Sequence, residues 1–239
     1  MTPVEVPCKV DGPDDAPVLV LSNSIGSTSA MWDRQMPALS ERFRVVRYET
    51  RGHTGAPVPD GPYSIADLGG DVVALLDRLG VERADFAGLS LGGMTGMWLG
   101  VNAPERVDRL ALLCTSAMLA RDTDWPGRAR TVRAEGTGAI AAATVERWFT
   151  EGFRQANPDI AERWRTAIAA TPSEGYAACA EAIGSMDLED EIAAIRAPTL
   201  VIAGRIPGAR LELVDGAHLS NYERADEVTA LLLDHLEAT

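Results

Sequence analysis

Apolar residues fall along this chain in two alternating rhythms. Short apolar runs of strand length come at Val18–Leu21, Phe43–Tyr48, Ala84–Ala87, Arg109–Cys114, Thr199–Ala203 and Arg210–Val214. Between them lie stretches with helical spacing. The clearest is Ser64–Leu79, where Ile65, Leu68, Val72, Leu75, Leu76 and Leu79 would line one buried helix face. Ser64 and Asp67 make a cap signal at its start, and Gly80 stops it. Gly92–Asn102, closed by Pro104, and Val228–Leu236 read as further helices. Strand-length runs separated by helices predict a mostly parallel sheet with helices on both faces, an α/β fold.

From about Leu119 to Glu189 the pattern changes. The stretch is rich in Ala, Arg, Glu and Trp and holds no convincing strand. Ala129–Glu135, Ile140–Phe149, Ile160–Ala169 and Tyr176–Ile183 read as short helices. This predicts a helical cap, 119–189, inserted into a core made of 1–118 and 190–239. A length of 239 residues, 46% of them hydrophobic, suits that plan.

Charge narrows the partners. Twenty-two basic residues stand against 35 acidic ones, a net −13. That argues against nucleic acid and against an anionic membrane surface. An anionic ligand would need a local cationic pocket. Cys8, Cys114 and Cys179 are widely spaced, without a Cys-x-x-Cys, so neither a disulfide framework nor a zinc site is expected. Cys114 reads as a core thiol. The chain has no apolar run of membrane-spanning length, and MTPVEVPCKV lacks a signal-peptide pattern, so a cytoplasmic protein is expected. No metal-ligand cluster and no G-x-G-x-x-G after the first strand is present, so no metal and no cofactor is implied. The oligomeric state is left open.

Chemistry concentrates at Gly88-Leu89-Ser90-Leu91-Gly92. A G-x-S-x-G string alone is a modest signal. Here it follows a strand and opens a helix, the setting in which a strained turn lifts a serine hydroxyl above a sheet. The glycines remove side chains that would collide across that turn. The Leu91 amide would open the helix and could donate to an oxyanion. The second donor should come from the loop after the first central strand, Asn23-Ser24-Ile25-Gly26, with the Ile25 amide as candidate. Of three histidines, His218 sits in the loop after the last strand, where the base belongs in the order Ser…acid…His. His53 reads as a structural histidine bonding backbone near the site. His235, in the terminal helix, is expected on the surface.

The strings LSNSIGSTSAMWDRQMPAL, RFRVVRYETRGH, GPYSIADLGGDVVALLDRLGV, GLSLGGMTGMWLG, LLCTSA, APTLVIAG and GAHLSN resemble the 3-oxoadipate enol-lactonases, α/β-hydrolases of aromatic degradation. The resemblance runs through the cap, in TVRAEG, RWFT and TPSEGYAACAEAI. It implies an α/β-hydrolase fold, Ser90 as nucleophile, His218 as base, and Ile25 and Leu91 as oxyanion amides. The implied substrate is a small anionic lactone, opened by water. Its carboxylate calls for a cap arginine; Arg133, Arg147 and Arg154 are candidates, and Trp148 could line the pocket.

One departure from the family pattern is large. The resemblance implies an aspartate after the strand Thr199–Ala203, followed by a helix. Here Ala203-Gly204 runs straight into Arg205-Ile206-Pro207-Gly208-Ala209. Parallel neighbours ordinarily need a crossover of about a dozen residues, so this stretch conflicts with the fold; an antiparallel hairpin would send His218 to the wrong end. Three accounts are open: residues omitted from the sequence, a deletion with altered function, or another acid. Asp122 and Asp124 are candidates for the last; Asp215 is too near His218 in sequence to orient its ring. Val4–Val10 also leaves little room for the hairpin that usually opens this fold. The competing functions are another esterase, a carbon–carbon bond hydrolase, or an inactive hydrolase-like binding protein.

Overall fold

The computed structural model describes residues 1–119, 123–202 and 209–238. Seven strands form one sheet: β1 (Cys8–Asp11), β2 (Val18–Ser22), β3 (Arg44–Tyr48), β4 (Ala84–Leu89), β5 (Val107–Leu113), β6 (Thr199–Ile202) and β7 (Arg210–Glu212). Their order is β1-β3-β2-β4-β5-β6-β7. β1 pairs antiparallel with β3; every other pairing is parallel. Among the described residues no hairpin precedes β2; the single strand β1 lies at the edge, paired with β3.

The helices are α1 (Met36–Leu39), α2 (Ile65–Arg78), α3 (Leu91–Asn102), α4 (Trp125–Glu135), α5 (Gly138–Trp148), α6 (Glu151–Ala156), α7 (Pro158–Ala169), α8 (Ser173–Ser185), α9 (Ser220–Glu223) and α10 (Ala225–Leu236). The central strands are buried on both faces, and alternate residues feed different cores. Val20, Phe86, Leu110 and Leu112 pack in one cluster with α2 and α3. Leu19, Leu21, Ala87, Leu89, Ala111 and Leu113 pack in another, with α10 and aromatic residues of α5 and α7. Ser64 caps α2 in a reciprocal box with Asp67. Five helices, α4 to α8, lie between β5 and β6; α4 packs on α8 and α5 on α7.

β7 runs parallel to β6, with Leu200 opposite Arg210 and Ile202 opposite Glu212. The conflict expected from the short connection is thereby overturned. These strands are only four and three residues long. Ile202 and Arg210 are therefore offset by two residue steps and one strand spacing, on the order of 10 Å. The residues at the Gly204–Arg205 junction themselves lie outside the described residues.

His235 is also corrected: it is 7% exposed, its ring set against the Leu110 and Pro198 backbone where α10 crosses β5. Among the described residues no helix is long and apolar enough to cross a membrane.

Candidate active site

β4 ends at Leu89 and α3 begins at Leu91, so Ser90 is the whole of the turn. Its backbone is at φ 56°, ψ −114°, a conformation costing about 1–3 kcal/mol for a non-glycine residue. The surroundings hold it there. The Ser90 amide donates to the Leu113 carbonyl at 2.9 Å, and the Met94 amide and the Thr115 hydroxyl donate to the Ser90 carbonyl at 2.9 and 2.8 Å. A Cβ on Gly88 would lie 2.2 Å from the Gly92 carbonyl oxygen, and one on Gly92 would lie 2.4 Å from that of Ser22. Ser90 is 5% exposed.

The loop after β2 starts from Ser22, whose carbonyl faces Gly92. Of its amides, Ser24 donates to the Met31 sulfur, Gly26 to His53 Nε2 at 2.8 Å and Ser27 to the Ser24 carbonyl at 3.1 Å. Among the described residues, neither the Ile25 amide nor the Leu91 amide has an acceptor. Leu91 opens α3, where the helix dipole adds to its donor strength.

His218 lies beyond β7, at the C-terminal edge of the sheet. Its amide donates to the Arg147 carbonyl at 3.4 Å, and the next amide, Leu219, to the Trp148 carbonyl at 2.9 Å. Two residues further, Ser220 Oγ meets Cys114 Sγ at 3.3 Å. Cys114 follows β5 directly, between Leu113 and Thr115, which anchor Ser90. It is partly buried and at φ 45°, a turn residue more than a core thiol. Ser90 and His218 are thus brought to one edge. Desolvation pushes the His218 imidazole down to about 4, and the positive charge of Arg147 acts in the same direction.

Among the described residues no carboxylate bonds the His218 ring. Asp124 caps α4, accepting from the Gly127 amide at 2.7 Å. Asp215 is exposed, and Asp122 lies outside the described residues. Glu223 comes nearest in role: it accepts from the Ala217 amide at 3.0 Å and from the Thr150 hydroxyl, so it props the His218 loop.

Arg133 is taken up elsewhere. It donates to Glu174 at 2.7 Å and also to Glu181, tying α4 to α8 on the outer surface. Arg154 donates to the Glu146 and Phe149 carbonyls and closes the end of α5. Trp148 is 1% exposed and packs edge-on against Trp164 at 5.7 Å, as core. Two other arginines stand nearer the site. Arg128 donates from Nε to the Tyr176 hydroxyl and from Nη2 to Thr144 Oγ1, both at 2.7 Å. Tyr176 in turn lies over Gly26, where a Cβ would sit 3.0 Å from its ring. Arg147 lies close enough to Arg128 and His218 to act on both electrostatically, and its own pKa is lowered by burial and by Arg128. Two mutually repelling cations therefore stand together beside this edge, a local concentration of positive charge in a chain of net −13. Arg128 was not singled out in the sequence, because nothing in TVRAEG or its preceding turn separates it from the neighbouring arginines.

A parallel sheet that presents a strained serine between strand and helix is the architecture of the α/β-hydrolase class, and the profile of the alpha/beta hydrolase fold matches residues 17–220. Two enol-lactonases of Acinetobacter baylyi narrow it. 3-oxoadipate enol-lactonase 2 is 38% identical over 229 residues, 89% of this chain and 86% of that protein. 3-oxoadipate enol-lactonase 1 is 34% identical over 235 residues, 92% of this chain and 88% of that protein. The crystal structure of the enol-lactonase from Burkholderia xenovorans superposes with a TM-score of 0.95 at 40% identity, over 98% of this chain and 97% of that one. The chain belongs to the 3-oxoadipate enol-lactonase family of α/β-hydrolases and is a carboxylic ester hydrolase.

Proposed function

We propose that this chain opens 3-oxoadipate enol-lactone, or a closely similar small anionic lactone, by acyl transfer through Ser90. The reading is carried by the Ser90 turn: a strained serine at the head of α3, where the Leu91 amide, like that of Ile25, has no acceptor among the described residues. Ser90 Oγ attacks the lactone carbonyl while His218 accepts its proton. The carbonyl oxygen becomes an oxyanion between the Ile25 and Leu91 amides. The ring C–O bond breaks, and the enol oxygen leaves as an enolate that takes the proton from His218. Because the lactone is cyclic, the leaving group stays tethered to the acyl-enzyme. Water, deprotonated by His218, then attacks the acyl carbon; the Ser90–acyl bond breaks, His218 returns that proton to Ser90 Oγ, and the carboxylate is released. Arg128 and Arg147 receive the carboxylate that the lactone carries. The role in aromatic degradation follows from that substrate.

The test compares hydrolysis of the enol-lactone with that of neutral aryl esters, in the parent chain and in Ser90→Ala. Preference for the lactone, lost in Ser90→Ala, supports the reading. Faster hydrolysis of the neutral esters moves the assignment to a general esterase.

A further inference from the structure

His53 sits in the turn after β3, 1% exposed, against the loop that carries Ile25. The Gly26 amide can only donate, and it points at His53 Nε2 at 2.8 Å. That nitrogen must therefore be bare, which leaves the ring proton on Nδ1. Nδ1 lies 3.2 Å from the Arg51 carbonyl, an acceptor, so both ends of the ring agree on one tautomer. The turn that carries the ring is itself fixed on two sides. Arg51 is ion-paired with the buried Asp71 of α2. Gly52, at φ 76°, packs so closely on α8 that a Cβ there would lie 2.7 Å from the Gly175 Cα. Cys179 of α8 also reaches the Arg51 carbonyl, at 3.6 Å.

We propose that His53 is a positioning residue for the acyl-transfer site: its neutral ring holds the Gly26 amide and so aims the Ile25 amide at the oxyanion. The Gly26 N–H belongs to the peptide plane that follows Ile25. Fixing that plane fixes one side of Ile25, and the Ser27-to-Ser24 turn fixes the other. Without His53 the Gly26 amide would have to find another acceptor, and the loop would turn to give it one. Burial holds the imidazole down at about 4, so the acceptor persists at neutral pH. Its Nδ1 shares the Arg51 carbonyl with the Cys179 thiol of α8, and the Arg51 side chain is paired with Asp71. The proposal rests on the reading of Ser90, Ile25 and Leu91 as the reacting centre.

Two variants separate geometry from bulk. His53→Phe fills the space and cannot accept; His53→Gln offers a carbonyl oxygen. Fluorophosphonate labelling of Ser90 should slow by about 10- to 100-fold in His53→Phe, less than the 10²–10³ lost with a whole oxyanion donor, and recover in His53→Gln. With an aryl ester the loss should fall on kcat, leaving KM within about twofold. In 15N spectra of Ser90→Ala, His53 should carry its proton on Nδ1, with Nε2 bare. A labelled parent whose His53→Phe variant reacts within about twofold of it overturns the proposal alone, as does a proton on Nε2. An unlabelled parent overturns the hydrolase reading and this proposal with it. If His53→Phe fails to fold, the His53→Gln rate and the 15N spectrum decide.

Discussion

At the scale of single residues, the glycines around Ser90 matter as much as the serine. Gly92 is where α3 meets β2, backbone against backbone, with the Ser22 carbonyl on the far side. No side-chain motion can relieve a methyl group placed there. Gly92→Ala should lower the unfolding free energy by about 3 kcal/mol, read from urea unfolding with the slope unchanged, and should also cut Ser90 labelling. Unaltered stability would mean that the strand and helix stand further apart than described.

His218 gives a second residue-scale expectation. As the proposed base it acts only when neutral, so kcat/KM should rise with pH through its pKa and then level off. Burial and Arg147 set that rise near pH 4. An aryl ester should therefore still be hydrolysed at full rate at pH 5.5, where an ordinary histidine would leave about a tenth. A midpoint near 6.5 would show that His218 is better solvated than described. The placement of both the serine and the histidine was legible in the sequence, because the turn and the final loop are local: a few neighbouring residues determine each. The role of His53 was only half legible. Its backbone bonding could be expected, but its partner Gly26 is 27 residues away.

At the scale of elements, the helices between β5 and β6 could be read as helices but not oriented. Their sequences alternate small and charged residues, and which arginine turns inward depends on how α4 meets α8. Arg133 and Arg128 share α4 yet differ in fate. Arg133 meets two glutamates of α8 at the surface; Arg128 meets the Tyr176 hydroxyl, with Arg147 beside it. Arg128→Met should cut kcat/KM for the anionic lactone by about 10- to 100-fold, the worth of a hydrogen bond to a charged group, while sparing a neutral ester. Arg133→Met should leave both substrates unaffected and cost at most about 1 kcal/mol of stability, since its side chain is one-third exposed. Equal losses on the neutral ester would assign Arg128 to holding Tyr176 over Gly26 instead of to the substrate.

At the scale of the whole molecule, the sheet's last edge decides how well the site can work. A short connection conflicts with parallel pairing only between neighbours of ordinary strand length. β6 and β7 are short enough to pair in parallel, so His218 stays at the catalytic edge. What the short connection does not supply is an acid: residues 203–209 contain neither Asp nor Glu. Among the described residues, the charge acting on His218 is that of Arg147, which opposes formation of an imidazolium. An orienting carboxylate selects the tautomer and stabilises the protonated ring, and losing it costs about 10⁴ in turnover in the serine-protease case. In the proposed reaction both acylation and deacylation use His218, so both should slow. A reactive fluorophosphonate asks less of the base than an ester does. The chain should therefore be labelled at Ser90 yet turn over 3-oxoadipate enol-lactone about 10³- to 10⁴-fold more slowly than Acinetobacter baylyi 3-oxoadipate enol-lactonase 2 assayed beside it. Turnover within about tenfold of that enzyme would mean that an acid outside the described residues, with Asp122 the first to substitute by Asn, reaches His218 after all.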